Sequence, residues 1–159
     1  MDSSHLLYLL YGGNAVYRQE AKLSILSALR ERRVPDSFTI TLMTDEPQTF
    51  EGWPVTVIAL STETLAQWKG AYGYTHRRKA CAIAAGAKLA DKTIFVDTDT
   101  VFFKDPALLF ERVSDQQYLM DEFEWEWAEA KLRADYVAFS DELIANGKAP
   151  ADSLKLYNS

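Results

Sequence analysis

The chain has 159 residues, a formal net charge of −6 and 48% hydrophobic residues, the size and apolar content of one domain with a real core. That acidic balance leaves no electrostatic footprint for nucleic acid or for an anionic membrane surface. The single cysteine, Cys81, excludes an internal disulfide and fits a reducing compartment; beside Ala80, Ala82 and Ala84 it reads as a small helix-packing residue.

The opening stretch "MDSSHLLYLLYGG" has only about six apolar residues in a row and no positive leading region, so neither a membrane span nor a signal peptide is expected, and the location expected is cytoplasmic. Leu6 to Tyr11 reads as a buried strand stopped by Gly12-Gly13, with Asn14 placed to cap a helix. Tyr17, Ala21, Ile25, Ala28 and Leu29 then recur at helical spacing, which predicts an amphipathic helix packed on a sheet. Val34-Pro35-Asp36 breaks it. Phe38 to Met43 forms a second strand ending in Thr44-Asp45-Glu46-Pro47, and Val55 to Leu60 a third, introduced by Pro54. A second long helix is expected from about Thr75 to Asp91-Lys92, with Ala80, Ile83, Ala84 and Ala87 on its packed face, followed by a buried strand over Thr93 to Val96.

Strands alternating with helices predict an α/β sandwich with a mostly parallel sheet, in which ligands bind beyond the carboxyl ends of the strands. Those ends are Gly12-Gly13-Asn14, Thr44-Asp45 and Asp97-Thr98-Asp99. Further on, Pro106 to Val113 reads as a short helix, Gln117 to Met120 as a strand, and the segment from about Glu126 as helical. The acids Asp121, Glu122, Glu124 and Glu126 are expected to be a solvated helix start, favoured by the backbone dipole, with Trp125 and Trp127 as packing residues. From Leu154 the chain alternates as a strand would.

The stretch "IFVDTDTVFF" sets Asp97 and Asp99 at the tip of a strand. In extended chain these carboxylates would share a side, and at about 7 Å they would repel by roughly 2 kcal/mol. Such a pair favours a hard divalent cation, whose remaining ligands are commonly phosphate oxygens. The plain alternative is a polar turn. Arg77, Arg78 and Lys79 open the preceding helix, where cations oppose the helix dipole, so a diphosphate partner explains them better than local stability does.

This ordered set resembles the N-terminal, nucleotide-sugar-binding part of a GT-A glycosyltransferase, closest to the family 8 group of glycogenin and the bacterial lipopolysaccharide glycosyltransferases. The resemblance spans roughly residues 6 to 113 and implies a Rossmann-like α/β/α sandwich. In it Asn14 and Tyr17 are similar to the family's uridine-contacting pair, and Tyr11 and Gly13 line the base. Lys79, or Arg78 by a one-residue shift, matches the diphosphate contact. Asp97 and Asp99 match the manganese-binding aspartates (magnesium being the alternative ion), with Asp97 and Thr98 also counted among the donor-contacting residues. The implied reaction is transfer of a sugar from a UDP-sugar donor to an acceptor hydroxyl, on a carbohydrate or another molecule. One domain is expected over residues 1–159, with a donor core over 1–113 and the start of an acceptor-side region over 114–159.

Tyr157-Asn158-Ser159 looks like the opening of a family motif cut before its glycine. The family's later metal-binding histidine has no counterpart, since His5 and His76 both lie upstream. The resemblance therefore implies a fragment that binds nucleotide, lacks acceptor-side catalytic residues and turns over little or nothing. Two alternatives stand beside it: a haloacid-dehalogenase-type phosphatase with Asp97 as nucleophile, and a nucleotide-binding module without transfer activity. A dinucleotide-binding oxidoreductase is poorly supported, because "YGGNAV" lacks the G-x-G-x-x-G spacing.

Overall fold

The computed structural model describes residues 3–70, 73–114, 122–133, 137–148, 151 and 155–158. The chain divides into two compact units, Met1–Asp115 and Gln116–Ser159. The first is an α/β unit with a four-stranded sheet. Its elements run β1 (Ser4–Leu10), α1 (Ala15–Glu31), β2 (Thr39–Thr44), a 3-10 turn (Pro47–Phe50), β3 (Thr56–Ala59), α2 (Thr62–Lys69), α3 (Arg77–Gly86), β4 (Lys92–Phe95) and the short α4 (Ala107–Phe110).

The sheet order is β3-β2-β1-β4 and every pairing is parallel. β1 is shared: Leu6 stands opposite Ile40 of β2 and Ile94 of β4. Its alternating residues feed opposite cores, as a strand covered on both faces requires. Leu6, Tyr8 and Leu10 pack with Ala21, Ile25 and Ala28 of α1, whereas Leu7 packs with Leu65 of α2 and Ala82 of α3. Crossovers between parallel strands are right-handed, so a chain that reverses its direction across the sheet must change face. From β1 to β2 it moves one way under α1; from β3 to β4 it returns under α2 and α3. The switch point falls between β1 and β4.

Asn14 caps α1 as expected, accepting from the Val16 amide at 2.8 Å. Ser24 joins the buried face of α1 by bonding the Tyr8 hydroxyl at 2.9 Å, and burial pushes the Tyr8 phenol up to about 12. Tyr17, placed on the packed face by its spacing, is instead 51% exposed. α3 is shorter than its sequence suggests and rotated from the expected phase. Ala82 and Gly86 are buried and Ala85 packs beside them, while Ala80, Ala84 and Ala87 face out. An alanine-rich helix carries no bulky stripe to set its phase; here the contact with Leu7 sets it. A β-carbon at Gly86 would collide with Leu7 Cδ2. β4, expected as a buried strand, pairs on one side only among the described residues and is half-buried.

α2 has no counterpart in the sequence reading. Ser61 caps it, accepting from Thr64 N at 3.1 Å, and Gly70 ends it at φ 72°.

The second unit contains β5 (Glu122–Glu126), α5 (Trp127–Ala130), α6 (Val137–Ala145) and β6 (Lys155–Asn158), with β5 and β6 antiparallel. Glu122 and Glu124 therefore lie within a strand, while Glu126, its last residue, also caps α5, the helix expected from about that point. Their alternation with Phe123 and Trp125 has the period of a strand, which outweighs the dipole preference of acids. The expected strand at the C-terminus is β6. Asp121 and the Gln117 to Met120 strand lie outside the described residues.

At the amino end of β1, His5 is 2% exposed and bonds the Thr41 and Thr93 hydroxyls at 2.9 Å each, tying three strands together. Burial disfavours the imidazolium and lowers the His5 pKa below its ordinary 6.5. The neutral ring therefore contributes stability that is present above the unfolded pKa and declines as pH falls below it. Urea unfolding at pH 7.5 and 5.5 should show a lower midpoint at 5.5, and His5→Gln should flatten that part of the difference. Gly86→Ala should destabilise the unit by about 1–3 kcal/mol through overpacking against Leu7, outweighing the helix-propensity gain of at most about 1 kcal/mol.

Candidate functional site

The carboxyl ends of β1, β2 and β4 bring together most of the polar segments singled out from sequence. After β1 the backbone turns through Gly12 (φ 90°) and Gly13 (φ 70°), a left-handed run that glycine adopts without steric cost. The Gly12 amide donates to both carboxylate oxygens of Asp45, at 3.0 and 3.3 Å, so the loop after β1 is pinned to the end of β2. Next to it Arg18 of α1 pairs with Glu46 at 2.7 Å. Asp45 and Glu46 thus act on the loop's shape.

Beyond β4, the Val96 amide still bonds Leu7 O at 2.9 Å, and then the chain leaves the sheet. The Thr100 amide donates to Asp97 O at 3.1 Å, closing a turn over Asp97-Thr98-Asp99-Thr100. The two aspartates are therefore the first and third residues of a turn, and the extended-chain reason for a shared side does not apply to them. What joins this turn to the rest of the site is an ion pair. Lys79, in the first turn of α3, places Nζ 2.9 Å from Asp97 Oδ2, with side-chain exposures of 21% and 49%. Its ammonium also lies 5.1 Å from the Phe95 ring centroid. A half-exposed pair of this kind is worth at most about 1 kcal/mol, so a competing ligand can displace it.

The other two cations of the Arg77-Arg78-Lys79 run have a structural role that the sequence reading sets aside. Arg77 donates to the carbonyls of Gln67 and Trp68 at 2.9 Å each, and Arg78 Nε donates to Leu65 O at 2.9 Å. Arg77 meets the last turn of α2, where the helix dipole favours positive charge, and Arg78 its middle. Their placement at the start of α3 looks unfavourable only when α2 is left out. Arg78 in addition stacks on Tyr11, its guanidinium carbon 4.6 Å from the ring centroid. Tyr11 and Arg78 are thus one contact and Lys79 and Asp97 another, on adjacent strand ends.

The remaining candidates are less tightly gathered. Asn14 directs its side chain to its own helix, Gly13 is exposed, and Tyr17 stands open on the first turns of α1. Thr98 is half-buried and Asp99 exposed in the turn. No group of three or more His, Cys, Asp or Glu side chains converges among the described residues. A divalent ion at Asp97 and Asp99 would therefore need most of its ligands from water and from a bound oxyanion, a pattern typical of magnesium and manganese. The Lys79 ammonium on Asp97 already shows this carboxylate holding a cation. Among the described residues no helix is long and apolar enough to cross a membrane. Comparison with protein-family models, curated proteins and solved structures finds no match to the chain.

Arg77→Ala should lower stability by about 1 kcal/mol in urea unfolding, since it leaves two carbonyls of α2 without this donor. A stability equal to that of the parent chain would show these bonds to be exchanged for water without cost.

Proposed function

We propose that the first unit is the donor-binding part of a metal-dependent glycosyltransferase of the GT-A kind, taking a UDP-sugar and passing the sugar to an acceptor hydroxyl. The observation that carries this reading is the Lys79–Asp97 contact at the switch point of the sheet, where open α/β folds bind their ligands. It puts a cation from one element against a carboxylate from another, at the strand end next to the one that carries the Gly12-Gly13 turn.

In this reading Asp97 and Asp99 hold manganese or magnesium, with Thr98 between them facing the donor. Lys79 contacts the diphosphate, and Tyr11 with Gly13, Asn14 and Tyr17 line the nucleoside. A bound divalent ion would supply positive charge beside the departing UDP. Lys79 adds a second charge on the phosphate side, so that negative charge developing on the leaving group meets a preorganised field. Arg78, fixed by Leu65 O, holds the Tyr11 ring in place.

Isothermal titration calorimetry of the whole chain with UDP is the test. Binding should require manganese, and Asp99→Ala should abolish it while leaving the stability within about 0.5 kcal/mol of the parent, as surface substitutions do. Equal UDP affinity with and without manganese would contradict the reading.

A further inference from the structure

The contact between Lys79 and Asp97 also bears on how the two ligands of the proposed donor site reach it, an inference that rests on that reading of the site. The ammonium at 2.9 Å from Asp97 Oδ2 lies where a metal ion, or a water bound to it, would also sit. Both cannot hold the same carboxylate oxygen without strong like-charge repulsion. Arg78 is fixed by Leu65 O and the Tyr11 ring, but a lysine is a point charge on a flexible four-carbon stem and can change partner by rotating its own bonds.

We propose that Lys79 competes with the metal for Asp97 and links metal binding to nucleotide binding. Without nucleotide, Lys79 holds Asp97 and weakens the site for a divalent cation. A diphosphate draws the ammonium onto its own oxygens and vacates the carboxylate. The metal in turn frees Lys79 for the phosphate. By linkage each ligand raises affinity for the other by the same factor.

The test is titration of the full chain with manganese, free ion being followed by electron paramagnetic resonance, with and without UDP. Lys79→Met and Lys79→Gln should each bind manganese alone roughly two- to fivefold more tightly than the parent, the scale expected on removing an exposed ion-pair competitor. In both, the factor by which UDP tightens manganese should shrink. Arg78→Met removes a charge of the same sign from the same helical turn but does not vacate Asp97, so its effect on manganese alone should be clearly smaller. Equal tightening by Arg78→Met would mean a general field effect and overturn the proposal. So would either Lys79 variant with parental manganese affinity, or with an undiminished UDP effect, when the parent binds manganese and UDP together. Failure of the parent to bind manganese with UDP would instead remove the donor-site reading itself, and this proposal with it.

Discussion

The pairing of β1 with β2 on one side and β4 on the other is the constraint that shapes the rest of the first unit. With β1 shared, its side chains are buried on both faces and need helices on both. With β4 reached only after β3, the chain must reverse across the sheet, and reversal places α2 and α3 opposite α1. The loops after β1 and β4 then stand side by side at the point where the strand order reverses. The start of α3 reaches both, Arg78 through Tyr11 after β1 and Lys79 through the Asp97 turn after β4.

Most charged groups at this edge have structural partners. Arg77 and Arg78 serve carbonyls of α2, and Asp45 and Glu46 serve the loop after β1 through Gly12 and Arg18. Those contacts set the positions of the loop and of α2 against α3. The Lys79–Asp97 pair differs in its cation, a point charge on a long flexible stem, and in a carboxylate that is 49% exposed against 26% for Glu46. Two carboxylates in one turn with one ammonium beside them leave a site with residual negative charge.

Much of this is legible in the sequence, and the features that escape it share a cause. The strands show because parallel strands covered on both faces are nearly continuous apolar runs, and α1 shows because Ala21, Ile25 and Ala28 repeat at helical period behind the Asn14 cap. α2 escapes although Ser61 and Gly70 bracket it; eight residues carry little periodicity, and Leu65 is its only buried side chain. That omission propagates, making Arg77 and Arg78 look like ligand-binding cations when α2 is their partner. The phase of α3 is not readable from alanines, since the close approach of Gly86 to Leu7 is a property of the packed pair. At the acidic strand β5 the alternation of Glu with Phe and Trp is on view, and its period of two decides the element against the dipole preference of acids.

If a metal ion and a diphosphate meet between the loops after β1 and β4, manganese should reveal where. Paramagnetic broadening of backbone amide signals by manganese in the presence of UDP falls steeply with distance from the ion. Broadening should centre on Thr98, Asp99 and Thr100 and extend to Gly12, Gly13 and Lys79, with β3 and the His5 end of β1 untouched. Broadening centred on the acidic strand Glu122–Glu126, or spread evenly over the acidic surface, would contradict a site at this edge of the sheet.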